Sequence, residues 1–498
     1  VTGIRVLFVV SNLRGSEPIG VLQLAALLRQ RGHIVRLACG SATPLASLVR
    51  SFGPRLVGYS VCTGEHRRIL RLNSALKRRH DFFALFGGPH PTFFPEMIHE
   101  PGVDAVCRGE GEGAVEELAD CLSRGKPFFR IRNLWVRDGR TVSKNPVRPL
   151  IADLDALPFA DRTLRYAADP PARDYPVKSF LVSRGCPFRC TYCFNEPFAR
   201  LYQDKGPRVR TRSVENVIDE ILRVRRESRL EMVQFRESLF PWREEWLEPF
   251  AERYRREVGL PFYCHVRTDL LTARRVALLR RAGCISVNLG IECGDEQYRR
   301  EMLGRPIGND QIVAACRLLS DHGIRILADN MVGLPGTGME TDLETLHLNQ
   351  RCGVDYALAM IFQPYPRTEL GRRAEEMGVF DGDLDRIEES YYLTSPLRHR
   401  SPRSRRHVEN LQKLFALAVE TPLLEPLVRR LVELPPNLVY LSMFRAWFAY
   451  CYLRRIVPHR PTGEELRGLL ETFFAPPTPE ANEALLTDAE RQYGYGYE

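Results

Sequence analysis

The chain has 498 residues, too many for one ordinary hydrophobic core, and typical domain sizes divide it into about three domains. With 44% hydrophobic and 27% charged residues it has the composition of a globular protein, which excludes a disordered or fibrous chain. The formal net charge of +9, carried mainly by arginine, suits anionic ligands but is too diffuse to argue for nucleic acid by itself.

The N-terminus, VTGIRVLFVVSN, runs into a strand-like segment without the sections of an export signal. From Ile4 to Val106, β-rich runs (IRVLFVV, HIVRLA, PRLVGYSV, FFALFGG) alternate with amphipathic helical ones. That rhythm predicts an α/β fold whose N-terminal part, residues 1–150, is an open, mostly parallel, doubly wound sheet. Its first helix is expected to be capped by Ser16, to hold Pro18 in its first turn and to stop at Gly32. Ligands of such sheets bind outside the carboxyl ends of the strands, here the loops SNLRGSEP, VCTGEH, GGPHPT and RGEGEG.

The proline-containing stretch 151–177 reads as a linker. Six β-like runs follow (KSFLVS, MVQFRE, FYCHVR, CISVNLGIE, IRILADNMVG, YALAMIFQP), most of them separated by helical segments. They predict an open parallel (β/α)6 partial barrel over 178–385, with chemistry at its strand tops. Residues 386–498 are expected to form a helical, Arg-rich C-terminal domain. Its opening run RHRSPRSRRH, Arg398 to His407, reads as a solvated linker more readily than as a nucleic-acid contact. Leu431 to Leu453 is apolar but interrupted by Glu433, Pro435, Pro436 and Arg445, so no membrane span is expected. Thirteen scattered cysteines are unlike a secreted disulfide framework and point to a reducing cytoplasm.

The segment SFLVSRGCPFRCTYCFNEP, after the first barrel strand, spaces Cys186, Cys190 and Cys193 four and three residues apart. Three thiolates from one short loop suit three corners of a 4Fe-4S cubane. A structural zinc site would need a fourth Cys or His at matching spacing, and this loop is paired with none. An open iron corner would let the amino and carboxylate groups of S-adenosylmethionine (SAM) chelate the cluster. Reduction of its sulfonium would demand a potential near the low end of the roughly −700 to +450 mV range of protein clusters.

The CxxxCxxC loop, with Tyr192 before its last cysteine, resembles the radical SAM superfamily. The resemblance implies that Tyr192 and Phe194 lie against the adenine and that Glu292, in GIECG, hydrogen-bonds SAM. VGLPGTG from Val332 looks like the family's fifth-strand segment. Glu237 in FRESLF stands where the family often places an acid near the SAM amino group, and a buried carboxylate there would need a cationic partner. Arg267, Asn330 and Gln363 stand at other strand tops as SAM contacts or as architecture. In PYPRTEL, Arg367 replaces the glycine of many family members, so that loop is expected to differ in backbone shape or to reach an anionic group.

With GYSVCTGEH, LFGGPHPTFFPE and CRGEGEGAVEEL, residues 1–380 resemble the cobalamin-binding radical SAM enzymes, including their methyltransferases and the anaerobic magnesium-protoporphyrin monomethyl ester cyclase group. The resemblance implies cobalamin contacts at Ser11, Arg14, Gly15, Ser60, Cys62, Thr63, Gly87, Gly88, His90, Gly109 and Glu110. Gly87 and Gly88 would let backbone approach the nucleotide tail. The D-x-H-x-x-G of many cobalamin folds is missing from SNLRGSEPIG, and Arg14, with no available lone pair, cannot replace its histidine on cobalt. A domain that has lost cobalamin is the blunter alternative. Cys39, Cys62 and Cys107 allow a second cluster, as in tRNA methylthiotransferases, but the β-rich RNA module of those enzymes is not evident.

What the resemblance implies is reductive cleavage of SAM, hydrogen abstraction from an unactivated carbon of a small molecule, and methyl transfer from methylcobalamin. A flavodoxin-like or ferredoxin-like electron donor is implied as partner; nucleic acid is not expected. Two alternatives stay open: oxidative cyclisation or rearrangement without methyl transfer, and a cobalamin or redox sensor that does not turn over.

Overall fold

The computed structural model describes residues 3–13, 17–39, 42–387 and 390–463. Contacts group them into two units, one holding residues up to Arg173 together with Arg200–Pro207, the other Asp174–Ala199 and the chain from Arg208 onward.

In the first unit, β-branched and aromatic runs form β1 (Arg5–Val10), β2 (Ile34–Cys39), β3 (Leu56–Ser60), β4 (Phe83–Gly87) and β5 (Ala105–Cys107), all parallel. The order β2-β1-β3-β4-β5 puts the topological switch between β1 and β3, where open sheets bind ligands. Helices cover both faces, and each face buries its own apolar cluster, one around Val6 and Leu22, the other around Leu7 and Leu76. An antiparallel hairpin, β6 (Leu134–Asp138) and β7 (Thr141–Lys144), extends the sheet past β5, turning at Gly139 with φ +58°. The sequence reading missed this hairpin.

The first helix, Ile19–Gln30, starts two residues later than a Ser16 cap would set it, so Pro18 is its cap rather than part of its first turn. Gly32, at φ +84°, ends the turn that follows. Ser16 lies outside the described residues. The stretch 151–177, expected to be a linker, contains a helix, Arg162–Ala168, beside β2. Asp161 accepts from the Thr163 amide at 3.1 Å and pairs with Arg29 at 2.5 Å, which fixes the start of this helix against the first.

In the second unit, β8 (Val177–Phe180) leads to a small antiparallel ribbon of β9 (Ser183–Arg184) and β10 (Arg210–Thr211). The barrel continues with β11 (Met232–Phe235), β12 (Phe262–Val266), β13 (Cys284–Glu292), β14 (Arg325–Val332) and β15 (Tyr356–Ile361). The sheet order is β8-β11-β12-β13-β14-β15, parallel throughout and open, as the six β-like runs predict. Its largest core joins alternate strand residues such as Phe235, Phe262 and Val287 to the surrounding helices.

The C-terminal helices belong to this same unit. Helix Pro402–Glu420 packs along β15, burying Leu411, Leu414 and Phe415, and Gln412 Nε2 donates to the Ala359 carbonyl at 3.1 Å. Arg398 to His407 is not a linker: Ser401 caps this helix, Arg398 pairs with Asp381 at 3.0 Å and Arg405 with Glu409 at 2.8 Å. Helix Leu438–Cys451 and the turn after it pack on the barrel strands; Tyr452 accepts from Gln234 at 2.7 Å and the Arg454 carbonyl from Arg325 at 3.0 Å. Arg325 opens β14, whereas Gln234 is the third of the four residues of β11. No helix among the described residues is long and apolar enough to cross a membrane.

Candidate functional site

The cysteine loop hangs from the β9–β10 ribbon. Gly185, immediately before Cys186, has φ +88°, and a Cβ there would lie 1.9 Å from the Arg208 carbonyl oxygen, so only glycine fits. Arg208 clamps the loop from below, donating to the Cys186 and Phe188 carbonyls at 2.6 Å each and to Glu196 at 2.8 Å. Each thiol faces an N–H group: Cys186 the Phe188 amide, Cys193 the Asn195 amide and, at 3.5 Å, the Asn195 side chain, and Cys190 the Arg267 guanidinium at 3.5 Å. Burial pushes the Cys186 thiol up and that of Cys193 to about 11, and the neighbouring cysteines add to the shift. Holding these sulfurs as thiolates therefore calls for a compensating cation, which iron supplies. Among the described residues no group of three or more His, Cys, Asp or Glu side chains is already gathered in metal-ligand geometry. The donor set still fits a cluster: three thiols on one loop, each facing an N–H donor, and no fourth cysteine or histidine on that loop.

The Tyr192 hydroxyl donates to Glu292 Oε1 at 2.8 Å, and Arg305 Nη1 reaches both, Tyr192 at 3.1 Å and Glu292 at 3.2 Å. Arg305 Nη2 donates to the Gly290 carbonyl at 2.7 Å. Glu292 sits at a register shift between β13 and β14 with φ +68°, a conformation costly for a residue with a side chain. Gly290 makes room for its carboxylate, since a Cβ there would meet Glu292 Oε1 at 2.1 Å. Phe194 lies beside the Tyr365 ring, centroids 5.1 Å apart.

Several buried polar atoms at or near the barrel's strand tops have no hydrogen-bond partner among the described residues: Glu237 Oε1, His265 Nε2, Thr268 Oγ1 and Gln363 Oε1. The other oxygen of Glu237 accepts from the Val182 amide at 3.1 Å, and burial pushes its carboxyl up to about 8. Burial, with Arg236 adding, pushes His265 down to about 4, so its ring is neutral. Orphaned groups of this kind mark a place where a polar ligand completes the hydrogen bonding. Asn330 differs: it is fully buried and exchanges hydrogen bonds with Asn349 at 3.2 and 2.7 Å, which commits it to the architecture. Arg367 has φ +75°, so its loop keeps the backbone shape of a glycine.

In the first unit, Thr63 Oγ1 and His90 Nδ1 are 3.1 Å apart, and the His90 ring stacks on His66 with centroids 4.2 Å apart. Both residues are buried after β3 and β4. The exposed Cys62 donates its amide to Glu65 at 3.3 Å. Ser11 and Ser60 stand half-buried at the ends of β1 and β3. At Gly87 a Cβ would meet nothing closer than 3.8 Å, whereas at Gly88 it would lie 2.9 Å from Val61 backbone, so the chain's own packing already requires that glycine. Gly109 packs on Tyr202, whose hydroxyl accepts from the Glu110 amide at 2.7 Å, while the Glu110 carboxylate accepts from the Ile151 amide at 3.0 Å. Arg14 and Gly15 lie outside the described residues. Strand ends at the switch point, with Ser11 and Ser60 beside them, fit a corrinoid ligand.

Sequence reasoning missed Arg305, Asn349, Asp269 and Tyr202. None carries a spacing signal; each matters only through a partner distant in the chain or, for Asp269, through the orientation of Arg267.

Fold and site together define a SAM-dependent iron–sulfur barrel carried in one chain with a doubly wound ligand-binding sheet. Residues 180–348 match the Radical SAM superfamily model and residues 7–119 the B12 binding domain. The chain thus carries a radical SAM domain and a B12-binding domain, which imply a 4Fe-4S cluster, SAM and cobalamin as its cofactors. Among curated proteins it is similar to an uncharacterised methyltransferase of Pyrococcus horikoshii, 29% identical over 366 residues, which span 71% of this chain and 77% of that one. It is also similar to the anaerobic magnesium-protoporphyrin IX monomethyl ester cyclase of Rubrivivax gelatinosus, 28% identical over 407 residues, 76% and 71% of the two chains. The fold is shared with TsrM of Kitasatospora setae, a radical SAM methyltransferase solved with cobalamin and a [4Fe-4S] cluster; the TM-score is 0.66 at 17% identity, over 95% of this chain and 100% of that one. It is shared too with the cobalamin-dependent radical enzyme OxsB, TM-score 0.65 at 17% identity, over 98% and 80% of the chains.

Proposed function

We propose that this enzyme methylates an unactivated carbon of a small biosynthetic molecule, with Cys186, Cys190 and Cys193 as the cluster ligands. The observation that carries the reading is the buried junction of the cysteine loop with β13, Tyr192–Glu292–Arg305, beside strand-top carboxyl and amide oxygens left without partners. The methyltransferase relative supports methyl transfer as the outcome. When bound, the cluster and cobalamin supply reductive SAM cleavage and methyl transfer.

The chain's own residues bind and orient. Tyr192 and Phe194 offer ring faces to the adenine. Glu292, fixed by Tyr192 and Arg305, accepts from SAM, and Glu237 meets the SAM ammonium, which would return its carboxyl to the charged form. Gln363 offers its free carbonyl oxygen, and Arg267 faces the same site; Asn330 holds the strands. Ser11, Ser60, Cys62, Thr63, Gly87, Gly88, His90, Gly109 and Glu110 border the cobalamin site. A flavodoxin-like or ferredoxin-like protein delivers the electron, and thirteen free cysteines suit the reducing cytoplasm in which such donors work.

The test is anaerobic reconstitution with iron, sulfide and hydroxocobalamin, followed by SAM labelled on its methyl group and a strong reductant. Both 5′-deoxyadenosine and S-adenosylhomocysteine are expected, with 5′-deoxyadenosine lost in Cys186→Ala. Deoxyadenosine alone favours the second reading, cyclisation or rearrangement, which the cyclase relative supports. Neither product, from protein that holds cluster, SAM and candidate substrates, would point to a sensor.

A further inference from the structure

Arg267 is fixed on three sides. It follows β12 with a side chain only 8% exposed; Nε and Nη2 donate to the two carboxylate oxygens of Asp269 at 2.8 and 3.1 Å, and the guanidinium lies 3.6 Å over the Phe188 ring. The remaining nitrogen, Nη1, donates to Cys190 Sγ at 3.5 Å. A side chain waiting for a substrate group needs none of this restraint. We infer that Arg267 sets the reduction potential of the cluster through its charged hydrogen bond to Cys190, with Asp269 as the counterweight; the inference rests on the reading of the three cysteines as ligands.

One electron from the donor adds a negative charge that spreads over the sulfurs. A guanidinium aimed at one of those sulfurs stabilises the added charge and raises the potential, while the carboxylate behind it offsets part of the effect and keeps the potential low. Phe188, two residues after Cys186, ties the guanidinium to the cysteine loop by a cation–π contact, so the donor moves with its acceptor. The planar fork is needed to hold Asp269 and Cys190 at once, and a lysine ammonium could not do both.

The experiment is a mediated redox titration of the reconstituted full-length protein, without SAM, followed by the electron paramagnetic resonance of the reduced cluster. Wild type, Arg267→Met and Asp269→Asn are compared after iron and sulfide analysis. A wild-type protein that binds no cluster would overturn the reading of the cysteines themselves. With cluster present, Arg267→Met is expected to lower the reduction equilibrium about tenfold, which is about 59 mV for one electron. Asp269→Asn is expected to shift it the opposite way. Unchanged midpoints, or shifts of the same sign, overturn the inference. Should Arg267→Met fail to hold cluster, the sign of the Asp269→Asn shift decides alone.

Discussion

The Tyr192 hydroxyl and the Glu292 carboxylate meet at 2.8 Å across a hundred residues of chain, joining the cysteine loop to the top of β13. Arg305 neutralises the pair from the side, and all three groups are largely buried. A buried carboxylate that loses its cation costs far more than a surface ion pair. Arg305→Met is therefore expected to lower unfolding free energy by about 3 kcal/mol, with Glu292→Gln in the same chain recovering part of the loss. Denaturant unfolding of the two single variants and the double variant would show it; additive losses would mean that the two side chains are not coupled.

Gly290→Ala tests the space that Glu292 occupies. The new Cβ would stand 2.1 Å from Glu292 Oε1, so the carboxylate must leave Tyr192. The expected result is a stability loss of about 1–3 kcal/mol with weakened SAM binding in calorimetry, and unchanged SAM affinity would argue against Glu292 as a contact.

Glu237 should make stability depend on pH. Its folded carboxyl titrates at about 8 rather than at its ordinary 4.5, so the folded protein keeps a proton that the unfolded chain gives up. The stabilisation is whole below about pH 4.5, falls as pH rises and is gone above about 8. Relative to Glu237→Gln, the wild type is expected to lose on the order of a few kcal/mol across that window. In the neutral range SAM binding should release a proton from the wild type and none from the variant, measured as a buffer-dependent heat of binding.

Arg367 stands at φ +75° without being glycine. Arg367→Gly is expected to leave the melting temperature unchanged or raised, because the left-handed conformation costs an ordinary residue roughly 1–2 kcal/mol. Arg367→Val should lower it, since a β-branched side chain tolerates that conformation least. Equal melting temperatures for the two would mean that the loop rearranges.

The alternation of strand and helix, the six barrel strands and the cysteine loop were all legible in the sequence because local periodicity and spacing encode them. The β6–β7 hairpin was not, since its short strands, LWVRD and TVSK, carry little of the alternation that marks a half-buried strand. Arg305 was invisible for another reason: it follows the short helix Glu296–Glu301 in an irregular stretch, and its role exists only because Tyr192 and Glu292 arrive from elsewhere. Asn330 looked like a possible ligand because its strand-top position is visible in sequence while its partner Asn349, on the next helix, is not. Helix Arg162–Ala168 was obscured by the prolines that flank it in 151–177, and what anchors its start is the distant Arg29.

The packing of helix Pro402–Glu420 along β15 also bears on the exposed edge of the barrel sheet. β15 is the last strand of an open sheet, and its outer backbone would otherwise offer a template for another chain's strand. A chain ended at residue 385 would keep all six strands and the cysteines but bare that edge together with the faces that Leu411 and Phe415 now cover. It should self-associate in light scattering where the longer chain does not, which makes the helix a guard against edge-to-edge polymerisation as much as part of the core.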